Sequence, residues 1–263
     1  AAGTIAWPNE DDVHTITLSP GLLVTGTNII TAEVHQESGG SSDISFNARL
    51  TGSTAPVVAT VVRGPYLQSA TTSGITICWR TDVATDSRVN YGAAPGYLIN
   101  TAVNLAYSTE HVVTVTGLSP AELQYYEIGT FNTVLLTTPD QYFKTNPVIG
   151  SRDPFRFWVI GDAGEGNATQ RDVRDAFIQY NGGSPHADGW LLLGDNAYDG
   201  GFDAEYQVGM FQNMYESTLT NTSLWPSPGN HDYNNHIPFS PAPAYYDIFN
   251  LPTAGQSGGV ASG

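Results

Sequence analysis

The chain has 263 residues, room for more than one domain. Its 9 Lys and Arg against 25 Asp and Glu give a formal charge of -16 with no basic block, which excludes nucleic acid and anionic membrane surfaces as partners. No apolar run approaches the ~20 residues of a membrane span, and the opening AAGTIAWPNEDD lacks the layout of a signal peptide.

Only 13% of residues are charged while Gly, Thr, Ser, Asn and Tyr abound, the composition of secreted all-β and α/β proteins, so an extracellular or periplasmic location is expected. The single cysteine, Cys78, has no partner within the chain and reads as a buried thiol.

The first predicted elements are short alternating runs, HTITL, NIITAEVHQ and ISFNARL, separated by Gly, Ser and Asn clusters. Three strands cannot close a sandwich, so residues 1–54 read as a fragment of a β-sandwich or jelly-roll module. The stretch GTNIITAEVHQESGGSSDISFNARL resembles the last strands of galactose-binding-like modules attached to extracellular bacterial enzymes, and that resemblance implies a carbohydrate partner. His14 and His35 here read as ordinary strand histidines.

After the linker GSTAPVVATVVRG, residues 55–150 carry the runs GITICWRT, SRVNYG, HVVTVTGL and LQYYEIGTF, broken by Gly and Pro, which suit a seven-stranded sandwich. The words RGPYLQSATTSGITICWRT, SRVNYG and VTGLSPAELQYYEI resemble the fibronectin-type-III-like domain that precedes the catalytic domain of purple acid phosphatases. His111 reads as a satisfied strand histidine.

Past Pro154 the pattern changes. The apolar run FRFWVIGDAGEG is followed by the helical spacing of TQRDVRDAFIQY, then by DGWLLLGDNAYDGG, a second helix over DAEYQVGMFQNMYESTL, and SLWPSPGNHDY. Strand, helix, strand, helix, strand predicts a parallel sheet with right-handed crossovers, whose ligands collect at the carboxyl ends of the strands. There stand Asp162, Asp195 and Asn230. Converging carboxylates repel one another unless protonated or bridged by cations, and hard oxygen donors suit divalent or trivalent metals. A metal pair can hold a phosphate ester, activate a water and reverse the local sign of a strongly acidic protein.

GDAG, GDNAY and GNHD, in this order and separated by single crossover helices, resemble the calcineurin-like metallophosphoesterases, and Tyr198 narrows the resemblance to purple acid phosphatases. Residues 151–263 would then be the N-terminal half of the catalytic α/β domain, completing a multidomain chain. The resemblance implies that Asp162 binds the first metal, that Asp195 bridges both, and that Tyr198 ligates iron(III) as phenolate. It gives Asn230 to the second metal and makes His231 a catalytic residue that contacts substrate or protonates the leaving oxygen. It also implies a binuclear centre of Fe(III) with Fe(II), Zn or Mn, and hydrolysis of phosphate monoesters on small molecules or phosphoproteins. Asp232 and Tyr233 read as loop supports or rim residues, Asp199 and Glu165 as solvated carboxylates, and His186 as lying on the far side of the sheet.

The family completes its shells with an isolated histidine and a later Gly-His-x-His motif, neither of which is present. Past His231 only His236 remains. The expectation is therefore a fragment of a longer protein, weakly active or inactive by itself, with an unpaired sheet edge and exposed apolar faces. Two alternatives stand: a phosphodiesterase or nucleotidase on the same scaffold, and a non-catalytic carbohydrate-binding or adhesion protein. A haloacid-dehalogenase-like phosphatase is disfavoured, because GDAGEG has no Asp-x-Asp. The triplets at Asn167 and Asn221 match the glycosylation pattern.

Overall fold

The computed structural model describes residues 28–31, 58–233, 243–253 and 255. The predicted jelly-roll fragment, with His14 and His35, lies outside the described residues apart from 28–31, and so does His236. The chain divides into two compact units, Ala1–Pro56 and Val57–Gly263, and every strand and helix among the described residues belongs to the second.

The first half of this second unit is all β: β1 (Val61–Gln68), β2 (Gly74–Gly92), β3 (Asn100–Thr116), β4 (Leu123–Gly129), β5 (Val134–Leu136) and β6 (Tyr142–Lys144). β2 and β3 pair antiparallel from Gly74↔Thr116 to Tyr91↔Asn100, with the register slipping between Arg80 and Ser87. At that slip β2 changes its other neighbour, from β1 (Gln68↔Thr76 to Val61↔Thr81) to β4 (Arg88↔Gly129 to Gly92↔Tyr125). Ile75, Ile77 and Trp79 from one half of β2 and Val89 from the other join Val113, Val115, Tyr126 and Ile128 in one buried cluster. The strand thus folds over its own core, with a bulge at the corner. His111 fills that corner: its Nε2 lies 2.6 Å from Thr81 Oγ1 and its Nδ1 2.8 Å from Ser87 Oγ, and the ring stacks on Trp79. Burial pushes its pKa down to about 4, only partly opposed by Asp86.

The second half alternates: β7 (Phe157–Ile160), α1 (Ala168–Tyr180), β8 (Gly189–Leu193), α2 (Asp203–Tyr206), α3 (Glu216–Leu219), β9 (Ser223–Ser227) and α4 (Pro243–Ile248). β7, β8 and β9 are parallel, with Trp158, Trp190 and Leu224 in register on the face that meets Met210, Phe211 and Tyr215. On the opposite face Phe157, Val159 and Leu193 are exposed. The predicted second helix is broken into α2, a π-helical turn over Gln207–Phe211, and α3. Tertiary packing breaks it. Gly209 lies so close to the GDAG loop that a Cβ there would sit 2.6 Å from Gly164 O, and Asn213 takes φ +58° while the Glu216 carboxylate accepts from Asn213 N and Met214 N.

The two halves share one mixed sheet of order β5-β4-β2-β1-β9-β8-β7, joined where β1 runs parallel to β9 at Leu67↔Ser223 and Gln68↔Leu224. Because neighbours along a strand face opposite ways, Tyr66 enters the α/β core and Leu67 the β core. Cys78 lies with Tyr66, buried and unoxidised, its thiol pushed up to about 12 by burial. No helix among the described residues is long and apolar enough to cross a membrane.

Candidate metal centre

Asp162 and Asp195 stand just past the ends of β7 and β8, and both adopt left-handed backbone conformations, φ +52°. Asp tolerates that region better than bulkier residues, and the chain leaves each strand sharply there. Asp162 N donates to Gly194 O (3.1 Å), which ties the two exits together. Tyr198, on the loop after β8, brings its hydroxyl between them, 3.0 Å from Asp162 Oδ1 and 3.3 Å from Asp195 Oδ2.

The GNHD loop after β9 closes onto the same carboxylate. His231 N donates to Asp195 Oδ1 (2.9 Å), and a Cβ on Gly229 would lie 2.2 Å from that oxygen. A Cβ on Gly194 would in turn lie 2.9 Å from Gly229 Cα. These two glycines therefore let one loop close on the other. Asn230, between Gly229 and His231, is exposed. The His231 ring packs at 4.4 Å from that of Tyr198, and its Nδ1 lies 2.6 Å from the backbone oxygen of Asp199. A carbonyl only accepts, so in this contact Nδ1 carries the proton.

Three polar side chains, none of them predicted as ligands, hold these loops. Asp232 is 1% exposed; its carboxylate accepts from Gly229 N (2.7 Å), Asn196 N (3.2 Å), Asn196 Nδ2 (3.1 Å) and the Tyr206 hydroxyl. Gln170 of α1 accepts from Gly166 N (2.6 Å) and donates to Ala163 O and Gly209 O, bracing the GDAG loop. Glu205 accepts from Asp199 N (2.9 Å), Gly200 N (3.0 Å) and Phe202 N (2.8 Å). The sequence pointed to Asp232 as a support; Gln170 and Glu205 carry no such local signal.

The phenol of Tyr198 is held well above its ordinary range, first by burial and then by its hydrogen bonds to, and the charge of, Asp162 and Asp195. A single phenolic proton lies among two carboxylates. An oxygen-preferring cation in that place would offset both charges and lower the phenol pKa, so the donor chemistry fits a hard metal ion. Among the described residues no group of three or more His, Cys, Asp and Glu side chains is placed to hold a metal; the cluster here joins two carboxylates with a phenol. Glu165 and Asp199 are exposed on the loops beside it. His186 lies elsewhere, edge-on to Tyr142 and 3.1 Å from Asn221 Nδ2. Of the two glycosylation triplets, Asn221 is 7% exposed and its amide nitrogen donates to Asp140 O (2.6 Å), whereas Asn167 is exposed and caps α1 through its side-chain oxygen, which accepts from Gln170 N (3.0 Å).

Residues 155–261 match the family described as Calcineurin-like phosphoesterase. Among solved structures, that of PhoD aligns with 76% of this chain at 13% identity and TM-score 0.56, and the chain spans about half of it (48%). The sensor domain of the anti-sigma factor RsgI4 from Pseudobacteroides cellulosolvens (13% identity, TM-score 0.26, covering 38% of this chain and 98% of that one) also aligns. So does the third fibronectin III domain of human KIAA0343 protein (11% identity, TM-score 0.24, covering 41% and 100%). Those two scores are too low to define a shared fold. No curated protein matches the sequence. Segment 155–261, with its parallel strands and its acidic strand exits, thus matches the calcineurin-like phosphoesterase model, and the fold of the chain is similar to that of PhoD.

Proposed function

We propose that this domain binds a binuclear metal centre and hydrolyses phosphate monoesters, with Asp162, Asp195, Tyr198 and Asn230 as metal ligands and His231 as the catalytic residue. The observation that carries the reading is the meeting of Asp162, Asp195 and the Tyr198 hydroxyl at one point, with the GNHD loop docked on Asp195. Such a centre, of Fe(III) with Fe(II), Zn or Mn, would supply charge neutralisation and an activated water. The chain's own groups do the rest. The left-handed exits at residues 162 and 195 fix the carboxylates. The Asp199 carbonyl holds the tautomer of His231, so that Nε2 can take or return a proton at the leaving oxygen. Residues 55–150 belong to the same proposal as a fibronectin-III-like module, and secretion or a periplasmic location as its setting. A phosphorylated small molecule or phosphoprotein is the proposed substrate, with any carbohydrate left to the N-terminal module.

The test is calorimetric titration of the chain and of Asp195→Asn with Mn(II) and Zn(II), followed by turnover of p-nitrophenyl phosphate and of its bis-ester. Wild type should bind and the variant should lose about tenfold or more in affinity; equal binding by both would overturn the reading. Faster cleavage of the bis-ester would transfer it to the phosphodiesterase alternative.

A further inference from the structure

The short helix α2 faces three ways at once. Asp203 and Gln207, four residues apart and so on one helical face, meet the β half. The Asp203 carboxylate accepts from two guanidinium groups of the β strands: Arg63 Nη1 (3.0 Å) and Nη2 (3.1 Å), and Arg80 Nη1 and Nη2 (2.6 Å each). Arg63 Nη2 also reaches the Asp203 carbonyl (3.2 Å) and Arg63 Nε the Gln207 side chain (2.7 Å), while Gln207 Nε2 donates to Val62 O (2.9 Å). The Arg63 side chain is fully buried and its guanidinium lies over Phe211, 4.9 Å from the ring centre. Two residues on, Glu205 gathers the amides of Asp199, Gly200 and Phe202. One residue further, Tyr206 donates to Asp232, which holds Asn196 and the GNHD loop.

We propose that the Arg63–Asp203–Arg80 clamp is a positioning device for the candidate metal centre: by pinning α2 to the β half it sets the Tyr198–Phe202 loop and the GNHD loop together. A buried arginine whose donors converge on one turn is more than surface pairing, because the fork-to-carboxylate geometry fixes direction as well as distance. A charge-neutral interface could hold the halves together equally well; it would not orient residues 205 and 206. Asp203, Arg63 and Arg80 are positioning residues that act through Glu205 and Tyr206. The inference rests on the proposed reading of the metal site, but its first readout does not.

Hydrogen exchange of wild type, Asp203→Asn, Arg80→Met, Arg80→Lys and Glu110→Gln provides the test, with the 15N shifts of the His231 ring as a second signal. In Asp203→Asn the amides of residues 199, 200 and 229 should exchange about tenfold faster, and the His231 ring should populate both neutral tautomers, while β2–β3 amides stay protected. Arg80→Met, which leaves the buried Arg63 pair intact, should give a smaller change in the same amides, and Arg80→Lys, which keeps the charge but loses the fork, should restore them only in part. Glu110→Gln, which removes only the other partner of Arg80, should change nothing in the loops. If Asp203→Asn does not fold, the comparison of Arg80→Met with Arg80→Lys decides. Unaltered loop exchange and an unaltered imidazole signal in a folded clamp variant would overturn the proposal. A wild type that binds neither Mn(II) nor Zn(II), with the loop effects present, would leave the clamp standing and remove the metal reading alone.

Discussion

The two halves of the unit hold themselves together by different means. The β half rests on long ladders and one apolar cluster, so that each residue of β2 is fixed by its strand neighbours and by alternation. The α/β half has strands of only four or five residues, and its loops are fixed one at a time by polar side chains, the buried Gln170 and Asp232 and the half-buried Glu205. Regular pairing specifies a scaffold cheaply, but it cannot specify where a loop carboxylate points. That task needs a directed hydrogen bond for each loop amide, and every such bond is lost whole when its acceptor is removed.

The largest test of this contrast is Asp232→Ala, which strands the Gly229 and Asn196 amides and the Tyr206 hydroxyl. It should cost about 4 kcal/mol in urea unfolding and release the GNHD loop before the β ladder; simultaneous loss of β2–β3 protection at low urea would erase the distinction. Next comes the pH dependence seated in the β half. His111 has a folded pKa of about 4 against an ordinary 6.5, so between those values the unfolded chain binds the proton more readily. Its stabilising contribution is complete above about pH 6.5 and disappears as the pH falls towards 4, about 3 kcal/mol over the window; His111→Gln should flatten that slope in thermal melts. The smallest effect belongs to Asn167→Ala at the start of α1, about 1 kcal/mol by calorimetry, and with it faster exchange of the Gly166 amide.

Much of the α/β half was legible because its signals are local. Apolar runs ending in Gly-Asp or Gly-Asn mark a strand and the turn after it, and three in series define a parallel sheet with polar exits. The break in the second helix was not legible, because it depends on Gly209 meeting Gly164, which lies far back along the chain. Nor was the function of Gln170, Glu205 or Arg63. Each looks in sequence like an ordinary surface residue, and only the fold supplies the amides and carboxylate that they engage. The pairing of Leu67 with Ser223, which joins the halves into one sheet, likewise has no local mark in RGPYLQ.

That strand has a consequence for how the protein can change over time. Tyr66 and Leu67 serve different cores from adjacent positions, so inserting or deleting one residue in β1 would swap their destinations and turn Arg63 away from Asp203 in the same event. Point replacements can drift there independently, whereas a length change must be matched in two interiors at once. Insertions are therefore to be expected in the hairpin tips, with β1 keeping its length.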